Sequence, residues 1–147
     1  MSKLKEELAT ILNIVSEGEL IEQRVASIVK GVTGWEDVIN LTPHAIKVYT
    51  SDGVKEIPPS GEIVRLTEQT QKMGQLLGVP LVRVKMGAPR LSSNVLSKGK
   101  VFIVSEIARP ILQKKYRKYL FVSPDTGPNS AVRDESGRII GVKRFRC

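Results

Sequence analysis

Arginines and small polar side chains are concentrated in residues 122–145, the stretch VSPDTGPNSAVRDESGRIIGVKRF. Arg133 and Arg138 flank the turn-forming triplet 135–137, and a hairpin there would place both guanidinium groups near one edge of a sheet. Arginine offers paired N–H donors that match phosphate oxygens, and a flat surface that stacks on a nucleobase. The pair therefore indicates a clamp for a phosphate-bearing ligand.

Smaller polar groups precede these arginines in the same stretch. Thr126, Asn129 and Ser130 carry hydroxyl and amide groups that can hydrogen-bond a ribose or a base edge. Backbone N–H groups around Gly127 can form an anion-binding nest. The same residue types are typical of plain turns, in which Asn129 caps the backbone and Arg133 pairs with a neighbouring acid. The residue types alone leave the ligand site and the purely structural alternative both open.

The side chains needed for catalysis or metal binding are scarce in the sequence. It has one histidine, His44, and one cysteine, Cys147, so a Cys–His nucleophile and a His or Cys metal site both lack parts. It has no Walker-type phosphate loop and no Gly-x-Gly-x-x-Gly turn. A carboxylate pair such as Asp125 with Asp134 or Glu135 is an acid–base candidate in principle. We expect a binding protein rather than an enzyme, with no catalytic residue, metal or cofactor.

Positive charge is concentrated in the last third of the sequence. The net charge is +8; residues 1–99 carry 12 Lys and Arg against 11 Asp and Glu, whereas residues 100–147 carry 11 against 4. Such a field attracts phosphates, nucleotides, nucleic acid or an acidic protein face. The segment KKYRKY, residues 114–119, interleaves basic residues with two tyrosines, which suits base stacking and phosphate contact. It suits equally the solvated end of a helix, where the dipole favours positive charge.

Two short amphipathic helices are predicted at the N-terminal end. Apolar residues recur at helical spacing through residues 2–18 and again through 19–34, where Gly31 and Gly34 end the pattern. The two stripes consist of Leu4, Leu8, Ile11, Leu12 and Val15, and of Ile21, Val25, Ile28, Val29 and Val32. We interpret residues 1–36 as a helical hairpin and an oligomerisation element, which buries its stripe on the rest of the chain or on a second copy.

From Asp37 onward the pattern changes to short strands. VINL and AIKVYT around a TPH turn predict a hairpin, and a second hairpin is expected from AVRD and RIIGVKRF. One helix is expected in EIARPILQKKYRKY, with Pro110 in or near its first turn. The sequence therefore predicts an α+β fold. It consists of an N-terminal helical hairpin and, over residues 37–147, a ligand-binding domain with a mainly antiparallel sheet and one helix in its C-terminal half.

The hydropathy pattern and the cysteine count bear on the compartment. No apolar run approaches the roughly 18 residues that cross a bilayer, and the first residues alternate charge with leucine instead of following a signal-peptide pattern. A single cysteine excludes an internal disulfide and favours a reducing compartment. We therefore expect an intracellular protein without membrane contact.

Several segments, taken in order, resemble a known group of proteins. NLTPHAIKVY, IPPSGEIVRL, LLGVPLVRV, FIVSEIA and above all VSPDTGPNSAVRDESGRIIGV follow one another as in a widespread group of small phage and prophage proteins. That group resembles the first-described Thoeris anti-defence family. The resemblance covers about residues 39–146 and leaves the predicted helical hairpin outside. The KKYRKY segment departs from the family pattern because it is more basic and aromatic.

The resemblance implies a viral or prophage protein that sequesters a signal without cleaving it. Such proteins bind cyclic ADP-ribose isomers made by bacterial immune sensors, and some hold cyclic oligonucleotides, in pockets formed at the subunit interfaces of dimers or hexamers. On this basis Arg133 and Arg138 contact the ligand, and Asp134 orients an arginine or accepts a ribose hydroxyl. Thr126 and Asn129 are further ligand candidates. The place of action implied is the host cytoplasm, as a homo-oligomer.

Two other classes of protein are compatible with the same concentration of basic residues. A viral nucleic-acid-binding or transcription-modulating protein would bind DNA or RNA through KKYRKY with an affinity that falls with salt. A structural or assembly component would meet an acidic partner and bind no small ligand. Both alternatives stay open at the level of the sequence.

Overall fold

The computed structural model describes residues 22–147 of the chain, apart from the side chain of Ser93. This part contains α1 (residues 22–31) and α2 (Ala108–Lys115). Single 3₁₀ turns lie at Trp35–Asp37 and Ser93–Val95. The strands are β1 (Val38–Asn40), β2 (Ile46–Thr50), β3 (Gly53–Ile57), β4 (Arg65–Leu76), β5 (Val79–Arg90), β6 (Val101–Ile103), β7 (Leu120–Pro124), β8 (Ala131–Arg133), β9 (Ile139–Val142) and β10 (Phe145–Arg146).

The first sheet has the strand order β1–β6–β7–β10. Strands β1, β6 and β7 are parallel, and β10 runs antiparallel to β7. Strands β6 and β7 are parallel because α2 connects them, and a chain that crosses over through a helix re-enters the sheet in the same direction. All of β6 and the first four residues of β7 are buried. This continuous apolar run is what a strand covered on both faces requires.

The second sheet has the strand order β3–β2–β9–β8. The pairs β2–β3 and β8–β9 are antiparallel hairpins, and β2 and β9 run parallel. The β8–β9 hairpin was predicted from AVRD and RIIGVKRF and is confirmed. Strand β8 is at the edge of this sheet, so the hairpin that carries Arg133 and Arg138 lies at a sheet edge as expected.

Strands β4 and β5 form a separate antiparallel ribbon of two strands, which we call the β4–β5 arm. Leu77 and Gly78 connect the strands with φ angles of 50° and 84°. A two-residue hairpin turn of type I′ needs positive φ at both positions, and glycine adopts it without strain. Gly78 therefore supplies the second position of this turn.

Two apolar cores lie on opposite faces of the first sheet. Phe102 and Phe121 are register partners whose ring centroids are 5.8 Å apart, and both pack with Leu112 of α2. Their sequence neighbours face the other way, because side chains alternate along a strand. The second core joins the first sheet to the second sheet and to α1. It consists of Val48, Ile57, Val101, Ile103, Leu120, Val122 and Val142, with Val25, Ile28 and Val32 packed against it.

The α+β class is confirmed, but the predicted mainly antiparallel sheet is wrong in its pairing: the described strands form three sheets, in which four strand pairs are antiparallel and three are parallel. Strand β1 pairs in parallel with β6 and does not form the predicted hairpin with β2. The buried side chain of Asn40 explains this: its Nδ2 donates to the carbonyls of His44 (2.8 Å) and Ile57 (3.2 Å), and its Oδ1 accepts from Thr42. These bonds hold a corner at which the chain passes from one sheet to the other.

The predicted N-terminal helical hairpin over residues 1–36 is not shown either. Its first helix lies outside the described residues, and α1 is the one helix in the N-terminal part of residues 22–147. Helix α1 packs Val25 and Ile28 against the second core. Neither α1, as far as it is described, nor α2 is long and apolar enough to cross a membrane.

Gly141 lies where β9 passes close to β2. A Cβ at this position would come within 2.5 Å of the Tyr49 ring and 2.9 Å of the Lys47 carbonyl oxygen. Because that carbonyl belongs to the paired strand, Gly141→Ala is expected to lower the free energy of unfolding by about 1–3 kcal/mol in a urea titration. Gly31→Ala is the control, since a Cβ there would meet no described atom within 4 Å outside its chain neighbours and the backbone of its own helix. Equal losses in the two variants would contradict this account of Gly141.

Candidate functional site

The β8–β9 hairpin is held by backbone bonds across a three-residue loop. The N–H of Asp134 donates to the Arg138 carbonyl (2.9 Å), and the N–H of Gly137 donates to the Asp134 carbonyl (3.0 Å). Gly137 has a φ of 85°, which a three-residue hairpin loop requires at its last position. The loop therefore fixes the two positions that carry Arg133 and Arg138.

Both arginines at this loop are exposed. Nη1 of Arg133 donates to the Gly137 carbonyl at 2.6 Å, so its guanidinium is oriented by the turn itself. The Arg138 side chain is 84% exposed, and its Nε lies 3.6 Å from Oδ2 of Asp134. A guanidinium has five N–H donors, so these contacts leave most of the donors of both arginines available to an anion.

The Asp134 carboxylate organises the same loop. Its Oδ1 accepts from the hydroxyl (2.7 Å) and N–H (2.9 Å) of Ser136 and from the N–H of Arg138 (3.0 Å). The hydrogen bond from the Ser136 hydroxyl, followed by that from the Arg138 backbone, lowers the pKa of Asp134. Asp134 is therefore an anionic acceptor that holds the turn and lies beside Arg138.

Thr126 and Asn129 are not brought next to these arginines. Both are exposed in the loop of residues 125–130, which precedes β8, whereas Arg133 ends β8. Strand β8 lies between Asn129 and Arg133, and at about 3.3 Å per residue its residues 131–133 span about 7 Å. The structure therefore groups Arg133, Asp134 and Arg138 at one end of the hairpin and leaves Thr126 and Asn129 at the other.

A second pair of arginines lies beside the 125–130 loop. Asp125 is buried, and its carboxylate accepts from Nε of Arg144, from Nε of Arg146 (3.0 Å) and from the N–H of Gly127 (3.0 Å). The hydrogen bond from Arg144 is the largest of the effects that lower the pKa of Asp125. The buried hydroxyl of Ser130 accepts from the N–H groups of residues 143 and 144 at 3.1 and 3.0 Å. The turn-rich stretch is thus tied to the last strand instead of fraying.

The network continues to the start of α2. Glu106 accepts from Nη2 of Arg109 (2.8 Å) and from the hydroxyl of the buried Ser123, and its Oε1 lies 3.8 Å from Nη1 of Arg146. The hydrogen bond from Arg109, followed by that from Ser123, lowers the pKa of Glu106. These residues lie at the carboxyl ends of the parallel strands β6 and β7, the edge at which sheets with helical crossovers often bind ligands.

Sequence reasoning missed Glu106, Arg109, Ser123, Arg144 and Arg146 as parts of one cluster. Their grouping depends on the parallel pairing of β6 with β7 and on the pairing of β10 with β7, and neither pairing was predicted. A signal was available in the pattern of a buried strand, a helix and a second buried strand, which is typical of a parallel crossover.

The KKYRKY segment divides its side chains between core and solvent. Tyr119 packs edge-on against Phe102 with centroids 6.0 Å apart, and Tyr116 lies 6.3 Å from Phe121. The basic side chains of residues 114, 115, 117 and 118 are exposed. The tyrosines therefore pack against the first core, and the basic side chains form a solvated face at the end of α2.

A cavity of about 580 Å³ lies between α1 and the first sheet. Its lining is mainly apolar and includes Val25, Val29, Trp35 and Val101, with Arg146 at one end. A nucleotide site needs several convergent polar groups, which this lining does not supply. The exposed arginines of the hairpin are therefore the better candidate site.

The one histidine and the one cysteine of the sequence lie in different parts of the fold, before β2 and after β10. His44 and Cys147 are both exposed. Within residues 22–147, no three His, Cys, Asp or Glu side chains are grouped as metal ligands would be.

The acidic residues of these networks make stability depend on pH. The pKa values of Asp125 and Glu106 are lowered, and that of Asp37 is lowered from 3.8 to about 2, chiefly by a hydrogen bond from Lys100. A carboxylate with a depressed folded pKa stabilises the fold above its unfolded pKa, and that contribution is lost as the pH falls through the folded pKa. We expect the urea midpoint to be steady from pH 7 to about 5 and to decline between about 4 and about 2. The urea midpoint of the Asp125→Asn variant should decline less over this range. A wild-type midpoint that does not change with pH would contradict the stabilising role of these carboxylates.

Comparison with known proteins adds no relative. No protein-family model matches the chain, and no curated protein or solved structure is significantly similar to it. The proposed function therefore rests on the site itself and on the resemblance of the sequence segments.

Proposed function

We propose that this protein binds a cyclic nucleotide immune signal, a cyclic ADP-ribose isomer or a cyclic oligonucleotide, and sequesters it without cleaving it. The observation that carries the proposal is the exposed pair Arg133 and Arg138, which lie on either side of a three-residue loop closed by backbone hydrogen bonds. The resemblance of the VSPDTGPNSAVRDESGRIIGV segment to anti-defence proteins supports the choice of ligand class. The concentration of positive charge in residues 100–147 supports an anionic ligand.

The hairpin supplies the contacts that such a ligand needs. Guanidinium groups match phosphate oxygens through paired N–H donors, and their planes stack on a base. The Gly137 carbonyl orients Arg133, which reduces the side-chain freedom that Arg133 loses on binding, and Asp134 lies beside the exposed Arg138. Asp134 also offers an acceptor to a ribose hydroxyl. Thr126 and Asn129 would contact a ligand long enough to extend along β8 to the 125–130 loop.

The state of the nearby carboxylates supports binding without turnover. A general base works best when its pKa is near the working pH. The pKa of Asp134 is lowered by the hydrogen bonds from Ser136 and Arg138, and that of Asp125 is lowered by its arginine partners. Both carboxylates are therefore weak bases that are already occupied as acceptors.

The remaining parts of the proposal follow from the resemblance. They are an origin in a phage or prophage, action in the host cytoplasm, and assembly into dimers or hexamers with the ligand at subunit interfaces. Sequestration of this kind lowers the free concentration of a signal by mass action and needs no turnover.

Equilibrium dialysis followed by analysis of the bound ligand tests the proposal. The protein is dialysed against cyclic ADP-ribose isomers and cyclic oligonucleotides, with linear ADP-ribose as a control, then denatured and its ligand chromatographed. We expect a cyclic ligand to be retained in a fixed ratio to protein and released intact. Retention of none of them, or release of a cleaved product, would overturn the proposal.

A second candidate function, nucleic-acid binding, is favoured by the exposed cations at the end of α2. It predicts binding to DNA or RNA with log affinity falling linearly with log salt concentration. It also predicts that the double variant Arg117→Gln and Lys118→Gln weakens this binding more than Arg133→Ala does. Fluorescence anisotropy with labelled oligonucleotides at several salt concentrations distinguishes the two functions.

A further inference from the structure

The β4–β5 arm exposes both of its faces along most of its length. In the described part of the chain its strands pair with each other and with no other strand. Every residue from 67 to 86 is exposed, whereas Leu66 and Pro89 at the base are partly or fully buried. The base is therefore anchored to the body of the protein, and the rest of the arm faces solvent.

The arm carries more apolar surface than a solvated ribbon needs. Val82, Val84 and Met86 alternate along β5 and so point to one face, each with 38–48% of its surface exposed. At the tip, Leu77 is 98% exposed, and Leu76 and Val79 are each 64% exposed. A two-stranded ribbon alone is marginally stable in water, and contiguous exposed apolar surface marks an interaction site. The arm therefore requires a covering surface.

We propose that the arm packs against the same arm of a second copy of this chain, across a two-fold axis near Thr70. The register places Glu68 opposite Met86, Thr70 opposite Val84, and Lys72 opposite Val82, so all six side chains share one face. This ladder is regular between the irregularities at Leu66/Glu68 and Lys72/Gly74. On this face, β5 therefore presents three apolar side chains, and β4 presents Glu68 and Lys72 on either side of Thr70.

The charge pattern of this face fits a second copy. In a two-fold contact, residue i of one copy meets residue j of the other, and j meets i. With the axis near Thr70, Glu68 of each copy meets Lys72 of its partner, while the apolar residues of β5 are covered. The face is therefore complementary to itself.

The size of the arm sets how much surface this contact can bury. At about 3.4 Å per residue, one exposed strand is about 30 Å long, and a two-stranded ribbon about 10 Å wide has a face on the order of 300 Å². Counting both copies, the two stacked faces bury on the order of 600 Å². Specific interfaces bury about 1,200 Å² or more, so the contact of each tip with the base of the antiparallel partner arm has to supply the rest.

This inference rests on the proposed function, which includes self-association, and it assigns a surface to that self-association. Its test measures mass and not ligand binding, so the two proposals fail separately. Native mass spectrometry and sedimentation at micromolar concentration should give wild-type particles of two or more copies. The double variant V82K and V84K should shift to the mass of one copy. The control V54K, at an equally exposed valine on edge strand β3, should keep the wild-type mass.

A charge exchange tests the same contact without adding charge to the apolar strand. E68K places like charges opposite each other twice across the axis, so the dimer should dissociate about ten-fold more readily. The exchanged pair E68K and K72E should restore the wild-type dissociation constant. A wild-type protein of one copy, a V82K and V84K variant that keeps its mass, or a failure of the exchange to rescue E68K would each overturn the proposal.

Discussion

Replacing Asp125 with alanine is expected to lower the melting temperature by on the order of 10 °C. Asp125 is buried and accepts hydrogen bonds from Arg144, Arg146 and the N–H of Gly127. Its loss releases the last strand, leaves Arg144 without this carboxylate and leaves Arg146 with only the longer contact to Glu106. Asp125→Asn keeps the shape and loses the charge, so we expect an intermediate melting temperature.

Asp52→Ala is the matched control for this prediction, because Asp52 is an exposed aspartate in the β2–β3 turn. Circular dichroism during heating measures all three variants under the same conditions. If Asp125→Ala has the same melting temperature as the wild type and Asp52→Ala, the Asp125 carboxylate does not hold the 125–130 loop. The account of the C-terminal network would then be wrong.

Removal of both hairpin arginines is expected to abolish most of the ligand affinity. A hydrogen-bonded contact to a charged group is worth about 1.5–3 kcal/mol, so the double variant Arg133→Ala and Arg138→Ala, which loses two of them, should bind on the order of 100-fold to 10,000-fold more weakly. Lysine keeps the charge but not the paired donors. The double lysine variant should therefore recover part of the affinity.

Two controls show whether this loss belongs to the site. Arg65→Ala removes an exposed arginine at the base of the arm and should bind as the wild type does. The melting temperature of the double alanine variant should stay within a few degrees of the wild type, because both side chains are exposed. Undiminished binding by the double alanine variant would place the ligand elsewhere, and the exposed cations of KKYRKY would then be the next candidate.

Local features of the fold were predictable because local chemistry determines them. Gly53, Gly78 and Gly137 mark hairpin turns in the sequence, and all three adopt the positive φ that these turns need. Helix α2 lies within the predicted segment, with Pro110 in its first turn. Each of these signals lies within a few residues of the structure it specifies.

The sheet pairing could not be obtained from the same local signals. VINL followed by AIKVYT has the pattern of a hairpin, but the buried Asn40 bonds to the carbonyls of His44 and Ile57 and turns the chain between two sheets. Asparagine in a turn and asparagine buried at a corner have the same appearance in a single sequence. The long β4–β5 arm was missed in part because QTQKMG lacks the apolar alternation of a strand.

The candidate site was predictable in its local part. The hairpin around residues 135–137 fixes where Arg133 and Arg138 lie, and a turn signal sufficed to predict it. The grouping of Arg144 and Arg146 with Asp125 depends on the pairing of β10 with β7, which is separated from it along the chain. Thr126 and Asn129 are neighbours of the arginines in sequence, yet the length of β8 separates them in space.

Calorimetric titration of the wild-type protein with cyclic ADP-ribose isomers and cyclic oligonucleotides tests the central claim most directly. We predict saturable binding of at least one of these ligands, with a simple ratio of ligand to subunit and no continuing heat from turnover. The double variant Arg133→Ala and Arg138→Ala, titrated in the same way, should lose that signal. An absence of saturable heat with every ligand, or an equal signal from the double variant, would contradict the assignment of the hairpin arginines as a site for a cyclic nucleotide.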